Sequence, residues 1–243
     1  MKRTVKITTL FLDIGEVLLT DGWDHHARRR AAVKFKLNFA ELDSRHLLNF
    51  EIFEQGKLTM ENYLGRVVFY QKRTFTRTQF RNFMFAQSKP YPEMIDLFTR
   101  LKALYGLKIV IVSNEARELN AYRIQTFQLA RFVDSFISSC YVGIRKPDGD
   151  IFRLALDTSQ AEARQAVFID NTLLFVQIAE SLGMGGIVHQ DAPSTGAKLA
   201  ALGLGLERLP PKRKNGDGVP PPKDPYWIDT RSQHGKGELI SKN

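Results

Sequence analysis

The stretch FLDIGEVLLTDG, residues 11–22, decides the fold of this chain. An apolar run ends there on Asp13, a glycine follows two places later at Gly15, and the chain then turns apolar again. A carboxylate at the end of a buried strand is costly unless it is paired or hydrogen-bonded. The stretch therefore predicts a strand over residues 5–13 whose terminal Asp13 either performs chemistry or closes a turn.

Strands and helices alternate over the second half of the chain. Apolar, β-branched runs at 108–114 (KIVIVSN), 166–171 (AVFIDN) and 184–190 (MGGIVHQ) predict strands, and 133–143 contains a further short one. Helical periodicity separates these runs. Such alternation predicts an α/β fold, a doubly wound parallel sheet of the Rossmann-like type. Ligands of these sheets bind beyond the carboxyl ends of the strands.

Residues 23–90 interrupt the alternation with a purely helical pattern. Apolar residues at three- and four-residue spacing predict four helices, at 26–37, 39–57, 58–72 and 76–87. We therefore predict a core domain of residues 1–22 plus 91–207 and an inserted four-helix cap of residues 23–90. Residues 208–243 hold six of the ten prolines and predict a basic, Pro-rich, disordered tail.

Charge is distributed unevenly along the chain. Its formal net charge is +9, and residues 27–89 alone carry 13 Lys and Arg against 5 Asp and Glu. This surplus indicates either solvated helix faces or a field that attracts an anionic substrate. Three aromatic side chains of the insert, Trp23, Tyr63 and Phe69, are candidates for substrate contact or for the insert's own core.

Composition excludes several classes of protein. A single cysteine argues against a disulfide framework and fits a reducing compartment. No apolar run approaches the roughly 18–20 residues of a membrane span, and the basic, apolar start is interrupted by Asp13 and Glu16, which favours a strand over a secretory signal. We expect a cytoplasmic protein with no membrane partner, and nucleic acid is not expected as a partner.

Four polar features fall where the predicted sheet would place a site. Asp13 ends the first strand, Ser113 and Asn114 end the second, Lys146 lies just before a helix, and Asp170 ends a later strand. Each alone is typical of a turn, a cap or a solvated residue. Their common position at strand ends and at a loop-to-helix junction favours one shared site.

This set of motifs resembles the haloacid dehalogenase-like (HAD) superfamily. The resemblance runs through roughly residues 5–205 and rests on FLDIGEVLL, IVSN, RKPDGDIF and FIDN, in that order, with a helical cap between the first two. It implies a hydrolase in which Asp13 attacks phosphorus and forms an aspartyl-phosphate. Asp13, Asp170 and the backbone carbonyl of Gly15 would bind Mg²⁺.

The resemblance also implies roles for the remaining motif residues. Lys146 would neutralise the nucleophile and phosphate, while Ser113 and backbone amides near Asn114 would hold phosphoryl oxygens. The sequence departs from the pattern at Gly15, where the family usually has a second aspartate that serves as acid and base, a contribution of about 10²- to 10⁴-fold. Asn171 and Phe175 are further departures.

Four nearby side chains could replace the missing acid, namely Asp21, Asp24, His25 and His26. The alternative is that the stretch DHH, residues 24–26, only opens a helix, with Asp24 as its cap. Three functions stay open at this point. We expect a Mg²⁺-dependent phosphatase acting on a small phosphorylated metabolite. The alternatives are a 2-haloacid dehalogenase-type hydrolase and a catalytically weakened protein that binds phosphate or a partner.

Overall fold

A computed structural model of the protein describes residues 5–206. A five-stranded parallel sheet forms its centre, in the order β3-β2-β1-β4-β5. The strands are β1 (Thr9–Leu12), β2 (Lys108–Ser113), β3 (Ser135–Ser138), β4 (Ala166–Asp170) and β5 (Gly185–Val188). This confirms the predicted α/β fold with its parallel, Rossmann-like sheet. The predicted tail, residues 208–243, lies outside the described residues.

The central strand β1 fixes the register of the sheet. Leu12 lies beside Ile111 of β2 on one side and Ile169 of β4 on the other. β1 is shorter than the predicted 5–13, so that Asp13 is the first residue beyond the strand, where its N–H donates to the Ile169 carbonyl at 3.0 Å. The residues that follow β1, β2 and β4 therefore meet at one edge of the sheet.

Helices of the insert precede those of the core along the chain. The insert contains α1 (His25–Phe35), α2 (Phe39–Leu47), α3 (Phe50–Glu54), α4 (Met60–Val67) and α5 (Arg77–Phe85). The core contains α6 (Pro92–Tyr105), α7 (Arg117–Thr126), α8 (Ser139–Val142), α9 (Gly149–Ser159), α10 (Leu173–Ser181) and α11 (Ala192–Ala201). Among residues 5–206, no helix is long and apolar enough to cross a bilayer.

Alternation along β1 buries both faces of the sheet. Leu10 and Leu12 join one hydrophobic cluster with Phe98 of α6, whereas Phe11 joins a second cluster with Phe152 of α9. A strand that is buried on both faces reads as a continuous apolar run, as the sequence does here. The sheet thereby becomes a rigid support for the side chains at its edge.

The prediction of four helices in the insert was wrong, because the segment 39–57 forms two. Helix α2 ends at Leu47, and α3 begins at Phe50. At the break, the Asn49 side chain donates to the Arg45 carbonyl at 2.8 Å, and the Asn49 N–H bonds to the His46 carbonyl. An asparagine side chain that competes for the backbone in this way interrupts a helix without disturbing its apolar periodicity.

Aromatic side chains form the core of the insert. Tyr63 is fully buried, and its ring stacks on Phe53 with centroids 4.1 Å apart. The Trp23 indole N–H donates to the Tyr63 hydroxyl, which lies 2.8 Å from His46 Nδ1. Burial lowers the pKa of His46 to about 3, so its ring is neutral near pH 7 and shares an uncharged hydrogen bond with the Tyr63 hydroxyl. Trp23, Tyr63 and the half-buried Phe69 thus belong to the hydrophobic cluster of the insert.

Tyr63→Phe tests this buried network. Removal of the hydroxyl leaves the Trp23 N–H and His46 Nδ1 without a partner, at an expected cost of about 1–3 kcal/mol in the free energy of unfolding. Urea unfolding measures it, with Tyr141→Phe as the control because the Tyr141 side chain is 44% exposed. Equal stability of the two variants would show that the network contributes nothing.

Candidate active site

Side chains from four separate segments converge at the carboxyl edge of the sheet. Asp13 follows β1, Asn114 follows β2, Asp170 ends β4, and Lys146 lies in the loop before α9. The structure thus brings together four of the residues that the sequence singled out. Their proximity follows from the parallel strands, which all present their carboxyl ends on the same side.

The ammonium of Lys146 lies between the two carboxylates. Lys146 Nζ is 2.9 Å from Asp13 Oδ1 and 2.5 Å from Asp170 Oδ2, and its side chain is only 1% exposed. Burial disfavours the charged amine, but Asp13 and Asp170 outweigh that effect and raise the pKa of Lys146 above its ordinary value. A permanent positive charge therefore lies against the candidate nucleophile.

Hydrogen bonds between side chains and backbone groups stabilise the triad formed by Asp13, Lys146 and Asp170. Asn114 Oδ1 accepts from the Lys146 N–H at 2.8 Å, and Asn114 Nδ2 donates to the Lys146 carbonyl at 2.9 Å. Asp170 Oδ1 accepts from the Thr172 N–H at 2.7 Å. The Asn114 side chain therefore orients Lys146, whereas the phosphoryl contact implied by the resemblance concerns backbone amides near Asn114 and stays a prediction.

A cleft of about 200 Å³ opens above the triad, bounded by both the core and the insert. Its acidic lining side chains outnumber its basic ones by four to two. The insert contributes Glu54 of α3, whose Oε2 lies 2.8 Å from Nη2 of Arg145. The lining residues are Asp13, Gly15, Glu16, Asp21, Glu54, Asn114, Arg145, Lys146, Asn171, Thr172 and Phe175.

The positive charge of this cleft comes from the core, and the insert supplies an acid. Arg145 and Lys146 are neighbours in one core loop, whereas the described part of the insert lines the cleft with Glu54. One of the insert's arginines, Arg28, is buried and paired with Asp43 at 2.7 Å. The basic side chains in the described part of the insert are therefore absent from the lining of this cleft.

Asp21 reaches the cleft from the segment that leads into the insert. The Glu16 carboxylate accepts from the Asp21 N–H at 2.9 Å and from the Tyr91 hydroxyl at 2.9 Å, with Glu16 itself at a positive φ of 53°. Asp21 lines the cleft and is exposed to solvent, but neighbouring protein atoms crowd its carboxylate and remove part of its hydration. This desolvation, opposed by Arg123 and reinforced by the charge of Asp13, raises the pKa of Asp21.

The other sequence candidates lie outside the cleft. Ser113 is buried, with its Oγ 3.5 Å from Glu115 Oε1. Asp24 caps α1 by accepting from the Ala27 N–H at 2.6 Å, as its alternative interpretation predicted. His25 packs edge-on against Phe39 within the insert, and its Nδ1 is 3.7 Å from Asp43 Oδ2. His26 lines a neighbouring cavity of about 440 Å³, which Asp21 also borders.

Sequence reasoning missed Glu16, which lines the cleft and accepts from the Asp21 N–H, and three further contributors to the site. Arg145 precedes Lys146 in the motif RKPDGDIF, so proximity to the lysine was a usable signal. Glu54 lies on a short helix and carries no local signature. Arg123 is buried in α7, where it pairs with Glu115 at 2.5 Å and donates to the carbonyl groups of Thr20 and Asp21.

The residues present fit a magnesium ion of the kind that the resemblance implies. Within residues 5–206, Asp, Glu, His and Cys side chains nowhere gather in threes as a ready metal cluster. The expected set, however, needs only the carboxylates of Asp13 and Asp170 and the carbonyl of Gly15. Oxygen donors of this type suit Mg²⁺, and the acidic surplus of the cleft leaves negative charge for a cation to offset.

Lys146→Met tests the electrostatic role of the triad. Loss of the ammonium leaves two neighbouring carboxylates without their cation. We expect this to lower the free energy of unfolding by about 3–5 kcal/mol at neutral pH, a difference from wild type called the deficit below. Burial already raises the pKa of Asp170, and Lys146 opposes that rise. Protonation of a carboxyl group with a raised pKa relieves the penalty, so the deficit should be smallest near pH 4 and grow as the pH rises.

Urea unfolding from pH 4 to pH 8, without added divalent metal, measures this deficit. Lys102→Met is the control, because Lys102 forms a partly exposed pair with Asp134 at 2.6 Å. Such pairs contribute about 0–1 kcal/mol. A Lys146→Met deficit that is as small as the control's, or that does not change with pH, contradicts the arrangement described above.

Known proteins share this fold and parts of this sequence. The chain is 39% identical to bifunctional epoxide hydrolase 2 of Sus scrofa over 90 residues, which cover 35% of this chain. It is 24% identical to flavin mononucleotide hydrolase 1 of Arabidopsis thaliana over 206 residues, covering 85% of this chain and 82% of the relative. The chain matches only 16% of the length of the pig protein and 16% of mouse acyl-CoA dehydrogenase family member 10.

A solved structure of a HAD family enzyme from Bacteroides thetaiotaomicron, bt-2542, superimposes with a TM-score of 0.65. The two chains are 17% identical, and the match covers 76% of this chain and 94% of the other, which was solved with magnesium and inorganic phosphate. At this identity the likeness concerns the fold. The family model of haloacid dehalogenase-like hydrolases matches residues 7–183, and the chain therefore belongs to that family.

Proposed function

We propose that this hydrolase is a Mg²⁺-dependent phosphatase of small phosphorylated metabolites, acting through an aspartyl-phosphate on Asp13. The observation that carries the proposal is the contact between Asp13 and the buried ammonium of Lys146 at the floor of a polar cleft. A carboxylate that attacks an anionic phosphate ester meets repulsion, and a fixed positive charge beside it lowers that barrier.

The chain's own residues divide the reaction into two displacements. An Asp13 carboxylate oxygen attacks phosphorus and the bond to the alcohol breaks; water then attacks phosphorus and releases Asp13. Asp13 and Asp170 hold the proton on Lys146 before the first step, and Asp170 still contacts the ammonium while Asp13 carries the phosphoryl group. Asn114 keeps the lysine in position through the two backbone hydrogen bonds.

Asp13, Asp170 and the Gly15 carbonyl would hold the magnesium ion. When bound, Mg²⁺ supplies positive charge to the phosphoryl oxygens. A backbone carbonyl is unaffected by the identity of its side chain, so glycine at position 15 preserves this donor.

The size and polarity of the cleft support a small, polar substrate. A volume of about 200 Å³ holds a phosphoryl group and a short leaving group. The Glu54–Arg145 pair presents both a hydrogen-bond acceptor and donors to that leaving group. These features favour a short hydroxylated metabolite.

The single cysteine, Cys140, is buried and unpaired, which supports a cytoplasmic location.

Asp13→Asn tests the covalent mechanism. The amide keeps the shape of the side chain but cannot attack phosphorus, so hydrolysis of phosphate esters should fall by more than about 10³-fold. Malachite green detection of phosphate across a panel of phosphorylated metabolites measures it. Asp96→Asn, on the outer helix α6, is the control and should retain wild-type turnover. Comparable turnover by Asp13→Asn and wild type would exclude this nucleophile.

Magnesium binding has a readout that is independent of turnover. At a concentration 100-fold above its Kd, Mg²⁺ should stabilise the folded wild type by about 2.7 kcal/mol. Asp170→Asn should abolish most of that gain, whereas Asp134→Asn, remote from the cleft, should keep it. Thermal unfolding with Mg²⁺ or EDTA measures both. Turnover that is unchanged by EDTA would favour haloacid hydrolysis. Binding of phosphate without any turnover would favour a binding protein.

A further inference from the structure

The space beside Gly15 already contains a carboxylate. A Cβ atom built on Gly15 would lie 3.0 Å from Asp21 Oδ1 and 3.7 Å from Asp13 Oδ2. A side chain at position 15 would therefore extend into the volume that the Asp21 carboxylate fills, next to the candidate nucleophile. The sequence lacks an acid at position 15, but the folded chain supplies one to the same place from six residues further on.

Two sets of contacts hold the backbone of Asp21 in place. On one side, Glu16 accepts from the Asp21 N–H at 2.9 Å. On the other, the buried Arg123 guanidinium donates to the carbonyl groups of Thr20, at 3.0 Å, and Asp21. Arg123 comes so close that a Cβ atom on Gly22 would lie 2.1 Å from its Nη2. Both contacts leave the Asp21 carboxylate free to face the cleft.

The other acidic side chains near the nucleophile are already engaged. Glu16 accepts from the Tyr91 hydroxyl and the Asp21 N–H, and Glu54 pairs with Arg145. Asp24 caps α1. Asp21 differs from all three because its carboxylate lines the cleft from the position next to Asp13.

We propose that Asp21 is the acid–base residue of this active site, an inference that rests on the phosphatase function proposed above. In the first step, an Asp13 oxygen bonds to phosphorus, the bond from phosphorus to the ester oxygen breaks, and the Asp21 carboxyl proton passes to the departing alkoxide. In the second, Asp21 takes a proton from water while the water oxygen bonds to phosphorus and the bond to Asp13 breaks. Inorganic phosphate leaves, and both aspartates return to their initial states.

Leaving-group dependence separates this role from a merely structural one. An alkyl ester such as glycerol phosphate needs a proton on its leaving oxygen, whereas p-nitrophenolate departs unaided. Asp21→Asn should lower kcat for glycerol phosphate by about 10²- to 10⁴-fold. With p-nitrophenyl phosphate, the first step should survive and the second should fail, giving a burst of about one p-nitrophenolate per active site before slow turnover. Asp24→Asn is the matched control and should behave as wild type, since asparagine caps helices as well as aspartate does.

Transfer of the carboxylate back to position 15 supplies a second test. Gly15→Asp alone should reduce turnover, because the new side chain competes with Asp21 for one space. Asp21→Ala alone should lower kcat for glycerol phosphate. The double variant Gly15→Asp with Asp21→Ala should have a kcat at least about 10-fold higher than that of Asp21→Ala. Thermal unfolding accompanies each variant, and if Asp21→Asn does not fold, this pair of alanine variants decides.

The outcomes distinguish this inference from the function on which it rests. If wild type releases phosphate from neither ester, the proposed phosphatase function is overturned and the inference with it. If wild type is active but folded Asp21→Asn keeps full turnover, or loses both esters equally with no burst and no recovery from position 15, the inference alone is overturned. Loss of glycerol phosphate hydrolysis, together with a burst followed by slow turnover on the aryl ester, supports it.

Discussion

The buried ammonium of Lys146 is the interaction on which the site depends. Parallel pairing of β1 with β4 places Asp13 and Asp170 at the same edge of the sheet, so that the fold itself forces two carboxylates together. Such a pair is tolerable only with a cation between them, and Lys146 contacts both at 2.9 and 2.5 Å. Asn114 binds the backbone of that lysine from the end of β2. Three neighbouring strands thus share one electrostatic constraint.

The insert closes this edge through polar contacts. Helix α3 brings Glu54 to Arg145, and the Glu54 carbonyl accepts from the Ser139 hydroxyl of α8 at 2.6 Å. This pair lines the same cleft as Asp13, so a leaving group of the proposed substrate would exchange hydrogen bonds with it. The net charge of the insert therefore says less about the substrate than the two or three side chains that reach the cleft.

The sequence predicted the features that depend on local residue patterns, namely the strands and the residues at their ends. Continuous β-branched runs predict doubly buried strands, and parallel strands then bring Asp13, Asn114 and Asp170 to one edge; hence the sheet and most of the site follow from the sequence. The split between α2 and α3 did not, because Asn49 interrupts the helix through its side chain while the apolar spacing continues. The sequence also did not predict Glu54 and Arg123, because their roles arise from packing between segments that are distant along the chain. Ser113 had the expected place in the chain, but the described structure turns its hydroxyl toward Glu115.

An acid at position 21 is positioned by different forces from one at position 15. Position 15 lies two residues beyond β1 and inherits the rigidity of the sheet. Position 21 lies on the segment entering the insert, where Thr20 bonds to the Lys89 and Gln87 carbonyl groups of the segment leaving it. Arg123 joins both segments by donating to Asp21 and to the Ser88 hydroxyl. The sheet therefore holds the nucleophile, whereas the two segments that connect the insert to the core hold the Asp21 carboxylate. The alignment of Asp21 with Asp13 consequently depends on the position of the insert.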